Sequence, residues 1–235
     1  MAIKKKNVIV HWSDGWDRTA QLCSLTQIMI DPYFRTLKGL EVIIEKEWVS
    51  FGFQFHKRCG HFKDDSHEKN ERSPVFIQFM DCLFQLLEQF PSAFQYNKNV
   101  LKFLALNVYT WKFGTFICDN EWSRIQLENK LGFKFRDTVS IWTYVNDNWS
   151  QFLNPFYTQV HERLDPHCYF SSIKFWEDHF LSWYEHDDEK GASKSLQPRD
   201  DRASILIDQH NKEEARILRD KKTMQDKRNP STCMK

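Results

Sequence analysis

The residues with the clearest chemical meaning are nine consecutive ones, His11-Trp12-Ser13-Asp14-Gly15-Trp16-Asp17-Arg18-Thr19. The β-branched run 8–10 before them predicts a short buried strand, and a helical pattern begins at Thr19. A loop between a strand and a helix points several backbone N–H groups into one concavity, at the positive end of the helix. Arg18 adds a planar fork of donors that suits two phosphate oxygens. The predicted ligand is a phosphate monoester or another oxyanion.

Four helices are predicted around this loop. The first runs from Thr19 to the Asp31-Pro32 stop and has Leu22, Leu25, Ile28 and Met29 on one face. The second covers 73–90, with Ser73 as N-cap, Pro74 in the first turn and the core residues Phe76, Phe79, Met80, Leu83, Leu86 and Leu87. The third covers 97–113 and stops at Gly114. Thr138 caps the fourth, which carries Ile141, Trp142, Val145 and Trp149, and an aromatic-rich segment follows at 171–185.

Composition excludes several classes of function. The 235 residues carry a formal net charge of +1, so nothing in the overall charge favours nucleic acid or a membrane. The six cysteines form no CxxC pair, which argues against a zinc site, and those in helical patterns are expected to be buried thiols. His56, His61 and His67 lie among charged residues and predict a solvated loop. Metal, cofactor and nucleic acid are therefore not expected, and without a signal peptide or an apolar span the cytosol is the expected compartment.

Tryptophans are frequent, and their spacing predicts core packing. The residues concerned are Trp48, Trp111, Trp142, Trp149 and Trp176. A stacking surface for single-stranded nucleic acid is the alternative, but no basic groove accompanies these rings.

The loop resembles that of the myotubularin family of phosphoinositide phosphatases, which reads His-Cys-Ser-Asp-Gly-Trp-Asp-Arg-Thr-Ala-Gln-Leu. Eleven of these twelve positions match residues 11–22. The resemblance continues in order through Glu45-Lys46-Glu47-Trp48-Val49-Ser50-Phe51-Gly52, Arg72-Ser73-Pro74-Val75-Phe76-Ile77-Gln78-Phe79, Gln89-Phe90-Pro91, Phe113-Gly114-Thr115-Phe116 and Thr138-Val139-Ser140-Ile141-Trp142. It covers roughly residues 7–185.

This resemblance implies an α/β, tyrosine-phosphatase-like fold, of which the chain holds the catalytic-loop strand and the helix-rich C-terminal half, with an incomplete sheet. It implies a partial phosphatase domain at 1–186. The polar and charged composition of 187–202 predicts a linker, and the sequence at 203–235 predicts a charged helix with a tail. A natural truncation, an incomplete gene model and an expressed fragment are the explanations left open. A coiled coil and a frayed solvated helix both remain open for 203–228.

In the family, a thiolate attacks phosphorus, an aspartate protonates the leaving oxygen and an arginine holds the phosphoryl group. The resemblance assigns the acid to Asp17 and the phosphate contact to Arg18. It implies that Ser13, Asp14, Gly15 and Trp16 line the site, with Asp14 as a second acid candidate or a loop-shaping residue. The implied ligands are phosphatidylinositol 3-phosphate and the 3,5-bisphosphate.

Two departures argue against catalysis. Trp12 stands where the family has its nucleophilic cysteine, and an indole has no usable nucleophile. Trp12 is expected either to fill the phosphate seat or to turn away and distort the loop. Where active relatives carry two headgroup-binding arginines, this sequence keeps Arg58 and replaces the other with Gln54. Rescue by Cys23 or Cys59 is not expected.

Three functions therefore remain. The first is a pseudophosphatase that binds a phosphoinositide weakly, or an active relative, in the cytoplasm or at the surface of endosomes. The second is an active 3-phosphatase, if Trp12 reflects a sequence error. The third is a non-functional fragment. The pairing of Asp17 with Arg18 as a purely structural contact is an alternative to oxyanion binding at the loop.

Overall fold

The structure is a computed structural model that describes residues 7–61, 71–132, 134 and 137–182. Its regular elements in this part of the chain are helical. They are α1 (Arg18–Ile30), α2 (Leu37–Ile44, continued by the π-helical Glu45–Ser50), α3 (Phe55–Cys59), α4 (Val75–Gln89), α5 (Lys98–Asn107), α6 (Glu121–Leu131), α7 (Ile141–Asp147), α8 (Trp149–Phe152) and α9 (Glu177–Phe180). Short 3₁₀ turns lie at Pro32–Arg35, Gly114–Phe116 and Phe170–Ser172.

An aromatic cluster around Trp48 forms the centre of the core. The Trp48 ring lies 4.8 Å from that of Phe79, 4.9 Å from that of Phe53 and 5.1 Å from that of Phe76, centroid to centroid. All four rings are almost completely buried. Aromatic pairs in such offset and edge arrangements add about 0.5–1.5 kcal/mol beyond the burial of their area. The cluster therefore joins the end of α2, the segment before α3 and the start of α4.

Helix α1 is fixed to this core by hydrogen bonds as well as by apolar contacts. The indole N–H of Trp48 donates to the buried hydroxyl of Ser24 over 2.9 Å. The amide of Gln21 donates to the carbonyl of Val75 and to the side chain of Gln78, both at 2.9 Å. Because α1 begins directly after the loop at 11–17, these contacts set where that loop leaves the body of the protein.

The predicted strand at 8–10 is not found. Val8 is 51% exposed and Ile9 is 88% exposed, and neither takes part in strand pairing. Across the described ranges, the β-type pairing is one isolated antiparallel bridge, between Tyr96 and Leu153. A strand needs a neighbour to satisfy its N–H and C=O groups, and the described residues provide none beside 8–10. The described part is helix-rich, and the incomplete sheet expected for an α/β domain is not seen in it.

Several helix predictions need correction at their ends. Pro74, not Ser73, occupies the N-cap position of α4, and the Ser73 N–H donates to the Arg58 carbonyl instead. The third helix ends at Asn107 and not at 113. The Asn107 side chain donates to the Phe103 carbonyl, and the Thr110 hydroxyl donates to the Asn107 carbonyl. Polar side chains that take up terminal carbonyls in this way end a helix early.

The fourth predicted helix also starts and packs differently. Ser140 caps it, with its hydroxyl accepting from the Trp142 N–H, and Thr138 instead packs against Gly114. The sequence predicts Trp149 and Leu22 in the core. Trp149 is 55% exposed and Leu22 is 45% exposed, so neither belongs to it. Trp48, Trp142 and Trp176 are buried as predicted, and Trp111 is half-buried.

The interpretation of His56 and His61 as part of a solvated loop is wrong. His56 is half-buried in α3, and Gly60 separates that helix from His61. The side chain of His61 is buried, and Nε2 lies 2.6 Å from the Val108 carbonyl. Because a carbonyl only accepts, Nε2 carries the proton. Burial lowers the pKa of His61 to about 4. His67 and the segments 187–202 and 203–235 lie outside the described residues.

Candidate functional site

The loop at 11–17 lies at the surface and turns sharply at Gly15. Gly15 has φ +80°, a conformation that costs a side-chain-bearing residue strain, and a Cβ there would meet nothing within 4 Å. Ser13 and Asp14 are exposed, and the Ser13 hydroxyl donates to the Asp14 carboxylate over 3.4 Å. Trp16 is half-buried and follows this turn. The loop therefore has the sharp bend that a phosphate cradle needs before its helix.

Trp12 covers Arg18. The Arg18 guanidinium carbon lies 4.5 Å from the centroid of the Trp12 ring, which is a cation–π distance. Trp12 is 44% exposed, so the ring is folded back over the loop and is not buried beneath it. Within the described residues no hydrogen bond or ion pair is seen for the side chain of Arg18, which is exposed. Arg18 is thus a cation that an oxyanion can still reach, with one face occupied by indole.

Asp17 pairs with Arg58 instead of Arg18. Arg58 Nε donates to one carboxylate oxygen over 3.0 Å and Nη2 donates to the other over 2.8 Å. The pair is largely buried, with side-chain exposures of 13% for Arg58 and 26% for Asp17. The structural pairing of Asp17 with Arg18 that the sequence left open is therefore not found. A residue assigned to acid chemistry is engaged in a bidentate ion pair.

Glu71 completes the surroundings of Arg58. Arg58 Nη1 donates to both the backbone carbonyl and the carboxylate of Glu71, each at 2.8 Å. Within the described residues, four hydrogen bonds engage the guanidinium, which has five N–H donors in all. The carboxylates of Asp17 and Glu71 raise the pKa of Arg58 above its ordinary value because they stabilise the cation. A headgroup phosphate must compete with these carboxylates for Arg58.

Gln54 lies directly before α3, the helix whose fourth residue is Arg58. It is half-buried at the N-cap position, and its side chain makes no capping hydrogen bond. An uncharged side chain here leaves Arg58 as the cation of this segment that contacts the loop. The structure therefore brings Asp17 to Arg58 and Trp12 to Arg18, as two separate pairs.

The buried and half-buried thiols of the described residues are poor substitutes for a nucleophile at the loop. Burial raises the pKa of Cys59 to about 12 and that of Cys118 to about 12. Burial, helped by the negative charge of Glu47, also raises the pKa of Cys23. Only the thiolate attacks efficiently, so these groups remain protonated and unreactive at neutral pH. Cys118 is buried as expected of a structural thiol, Cys23, Cys59 and Cys82 are half-buried, and Cys168 is exposed.

In the described part of the chain, two cavities that both border Asp119 lie away from the loop. The larger, of about 590 Å³, lies between α3 and α6 and is lined by residues that include His56, Trp122 and Leu127. The smaller, of about 360 Å³, has Glu45 and Arg124 in its lining, and Cys118 and Asp119 line both. No loop residue lines either cavity. Both hollows are therefore separate from the chemistry expected at 11–19.

Neither a membrane span nor a metal cluster is found in the part of the chain that the structure describes. None of the described helices is long and apolar enough to cross a bilayer. No group of three or more His, Cys, Asp or Glu side chains in these same residues is arranged to hold a metal ion.

The sequence did not predict Glu71 and Asp119 as site residues, although each contacts the segment that carries Arg58. Glu71 lies 13 residues from Arg58, and Asp119 lies 63 residues from His56, whose N–H it accepts. No sequence motif marks either residue, because an isolated Asp or Glu cannot be distinguished from an exposed acidic residue until the fold brings its partner close. The Arg72-Ser73-Pro74 block beside Glu71 was the nearest indication that this stretch belongs to the site.

Comparison with known proteins places these residues in a family. The profile of the myotubularin-like phosphatase domain matches residues 1–125. The phosphatidylinositol-3,5-bisphosphate 3-phosphatase MTMR2 of Gallus gallus is 43% identical over 180 residues, covering 76% of this chain and 30% of the relative. MTMR2 of Bos taurus is 44% identical over 180 residues, covering 76% of this chain and 27% of the relative. The myotubularin of Xenopus tropicalis is 40% identical over 186 residues, covering 78% of this chain and 30% of that protein. The chain thus spans less than a third of the length of these relatives.

Proposed function

The chain belongs to the family of myotubularin-like phosphatase domains, and on that premise we propose that it binds phosphoinositide headgroups without hydrolysing them. The observation that carries this proposal is the cation–π contact of Trp12 with Arg18, at the motif positions of the nucleophile and the phosphate ligand. The names of the relatives suggest the ligand class, a phosphatidylinositol bearing a 3-phosphate. Hydrolysis needs a nucleophile in the loop, and the indole of Trp12 does not supply one.

Retained binding is supported by what is left of the cradle. Gly15 keeps the sharp turn, α1 still begins at Arg18, and Arg18 is exposed with one face of its guanidinium open. A cation–π contact at an exposed site is worth about 0.5–1 kcal/mol, whereas a charge-assisted bidentate hydrogen bond to phosphate is worth more. An arriving phosphate can therefore displace the indole at a modest cost in affinity.

Weak binding is expected because Arg58 is already engaged. The headgroup must replace Asp17 on a guanidinium that the ion pair holds in a largely buried position. The replacement of a second arginine by Gln54 removes another cation from the same segment. Affinity for a 3-phosphate is thus expected to rest mainly on Arg18 and the amides at the start of α1.

The remaining parts of the proposal concern context. We infer a partial α/β, tyrosine-phosphatase-like phosphatase domain at 1–186, followed by a polar linker at 187–202 and a charged segment at 203–235. The proposed location is the cytoplasm, with peripheral contact with endosomal membranes. An active relative is the proposed protein partner, and the exposed apolar side chains of Tyr169, Phe170, Ile173 and Phe175 provide surface for such contact.

Binding to a soluble lipid tests the proposal directly. Titration calorimetry of the full chain with dioctanoyl phosphatidylinositol 3-phosphate is expected to give a measurable but weak affinity, with unmodified phosphatidylinositol of the same chain length as the reference. Arg18→Ala is expected to abolish the difference between the two lipids. Arg163→Ala is the matched control, because Arg163 is a partly exposed arginine that pairs with Asp165 outside the loop. Equal binding of both lipids, or equal losses in both variants, would refute specific headgroup binding at Arg18.

Restoring the nucleophile provides a second test. Trp12→Cys alone is expected to restore little phosphate release, because Arg58 remains paired with Asp17 and Gln54 contributes no charge. Trp12→Cys with Gln54→Arg is expected to release more. Full family-like rates from Trp12→Cys alone would contradict the weak-headgroup argument.

A further inference from the structure

Helix α3 cannot hold its own position by local forces. It spans five residues, Phe55–Cys59, and a helix this short is unstable in isolation because nucleation costs more than one turn returns. Its N-cap residue, Gln54, makes no side-chain capping bond. Its C-terminal end is closed by Gly60 in the left-handed conformation, whose N–H donates to the His56 carbonyl. The unsatisfied amides of the first turn therefore need a partner from elsewhere in the chain.

That partner is Asp119, from the segment between the Gly114–Phe116 turn and α6. Its carboxylate accepts the His56 N–H over 2.8 Å. Burial raises the pKa of Asp119, while the charge of His56 and the backbone N–H groups of His56 and Lys57 act in the opposite sense. Cys118, directly before it, has φ +70°, a conformation that a residue with a side chain adopts only under tertiary constraint.

The same helix also carries Arg58 to the loop. Its bidentate bond to Asp17 and its two bonds to Glu71 require the guanidinium to be placed within a few tenths of an ångström. The Arg58 carbonyl also accepts the Ser73 N–H over 3.1 Å. One short helix thus lies between a tertiary cap at its first turn and the ion pair of the candidate site.

We propose that Asp119 is a positioning residue of the candidate site: by capping the first turn of α3, it sets where Arg58 meets Asp17 in the loop. Asp119 does not touch the loop and acts through Arg58. The consequence for ligand binding rests on the function proposed above, whereas the effect on the Asp17–Arg58 pair does not. The larger and smaller cavities both border this carboxylate, so the cap lies at a surface that solutes can reach.

A double-mutant cycle on the full chain tests the positioning role without any ligand. The coupling between Asp17→Ala and Arg58→Ala is measured in the folding equilibrium constant by urea denaturation, first with Asp119 and then with Asp119→Ala. We expect a coupling of about tenfold with Asp119, falling below about twofold with Asp119→Ala. Asp119→Asn keeps a side-chain carbonyl acceptor and is expected to retain most of the coupling. Asp119→Ser, a shorter acceptor, replaces Asp119→Ala if that variant does not fold.

An unchanged coupling in the Asp119→Ala background would overturn the proposal, as would a coupling below about twofold in the native background. A merely structural role would lower overall stability and leave the coupling intact, so the two roles give different results.

Binding of dioctanoyl phosphatidylinositol 3-phosphate provides the second arm. With Arg58 present, Asp119→Ala is expected to change the affinity at least about threefold, and in the Arg58→Ala background it is expected to change the affinity less than about twofold. Equal effects in both backgrounds would overturn the route through Arg58. If the Asp17–Arg58 coupling depends on Asp119 but neither Asp119→Ala nor Arg18→Ala alters lipid binding, the positioning role stands and the proposed function fails.

Discussion

Replacing Asp17 by asparagine should make the protein less stable and improve its binding of a phosphate. The carboxylate of Asp17 and the guanidinium of Arg58 are 26% and 13% exposed, so the pair lies between the surface and the interior. Removing one partner of a fully buried pair costs about 3–5 kcal/mol, and an exposed pair is worth about 0–1 kcal/mol. Glu71 remains as a counter-charge and the carbonyl of the introduced amide still accepts one bond, so the expected loss is about 1–2 kcal/mol.

Urea denaturation and thermal unfolding measure this loss. For a chain of this size a loss of about 1–2 kcal/mol lowers the melting temperature by about 2–8 °C. The same substitution frees the donors of Arg58 for an arriving anion, so affinity for dioctanoyl phosphatidylinositol 3-phosphate should rise about three- to tenfold, within the limit set by the lost pair.

Asp165→Asn is the matched control, because it removes an exposed carboxylate that lies outside the loop and pairs with Arg163. It should change stability by less than about 0.5 kcal/mol and affinity by less than about twofold. The reasoning is refuted if Asp17→Asn leaves stability unchanged, or if both variants alter binding equally.

Three further predictions concern the body of the protein. Gly39→Ala should cost more than about 3 kcal/mol in urea denaturation, because its Cβ would clash with the Tyr33 carbonyl oxygen; native-like stability would contradict the packing of α2 on the Pro32–Arg35 turn. Trp48→Phe should cost about 2–3 kcal/mol by leaving the buried Ser24 hydroxyl unsatisfied and opening a cavity, whereas Trp149→Phe at a 55% exposed position should cost less than about 0.5 kcal/mol. Because burial keeps His61 neutral, its contribution to stability is complete above about pH 6.5 and falls by about 2–3 kcal/mol as the pH drops toward 4. In urea denaturation over this range, the free energy of unfolding of His61→Gln should lack this dependence on pH. The same pH dependence in His61→Gln as in the native chain would contradict the burial of His61.

Local patterns predicted the positions of the long helices better than their ends. Apolar spacing located α1 and α4, and Phe76, Phe79, Met80 and Leu83 are buried in α4 as expected. The pattern failed where side chains from distant segments decide the outcome. Ser73 is a residue type that favours the N-cap, but Pro74 occupies that position in α4. The Ser73 N–H instead donates a hydrogen bond to the carbonyl of Arg58 in α3. Helix α3 has too few residues for any periodic signal.

The candidate site also combines features that the sequence predicts with features that it does not. The motif placed Gly15, Arg18 and Trp12 in one loop at the start of a helix, because these residues are neighbours in the chain. It could not give the pairing of Asp17 with Arg58, 41 residues away, or the cap that Asp119 places on α3. Val8 and Ile9 have the composition of a buried strand, but whether such a run is buried depends on neighbouring strands, which local sequence does not report.

The most direct test of the central claim is phosphate release under single-turnover conditions, with the full chain in excess over dioctanoyl phosphatidylinositol 3-phosphate. Protein in excess, at a concentration above the dissociation constant, removes any limit from weak binding, so the measurement reports on the chemical step. With Trp12 in place, release should not exceed that of a blank without protein, and no phosphate should remain covalently attached to the chain after acid quenching. Release that Arg18→Ala abolishes, or a trapped phosphoenzyme, would contradict the account.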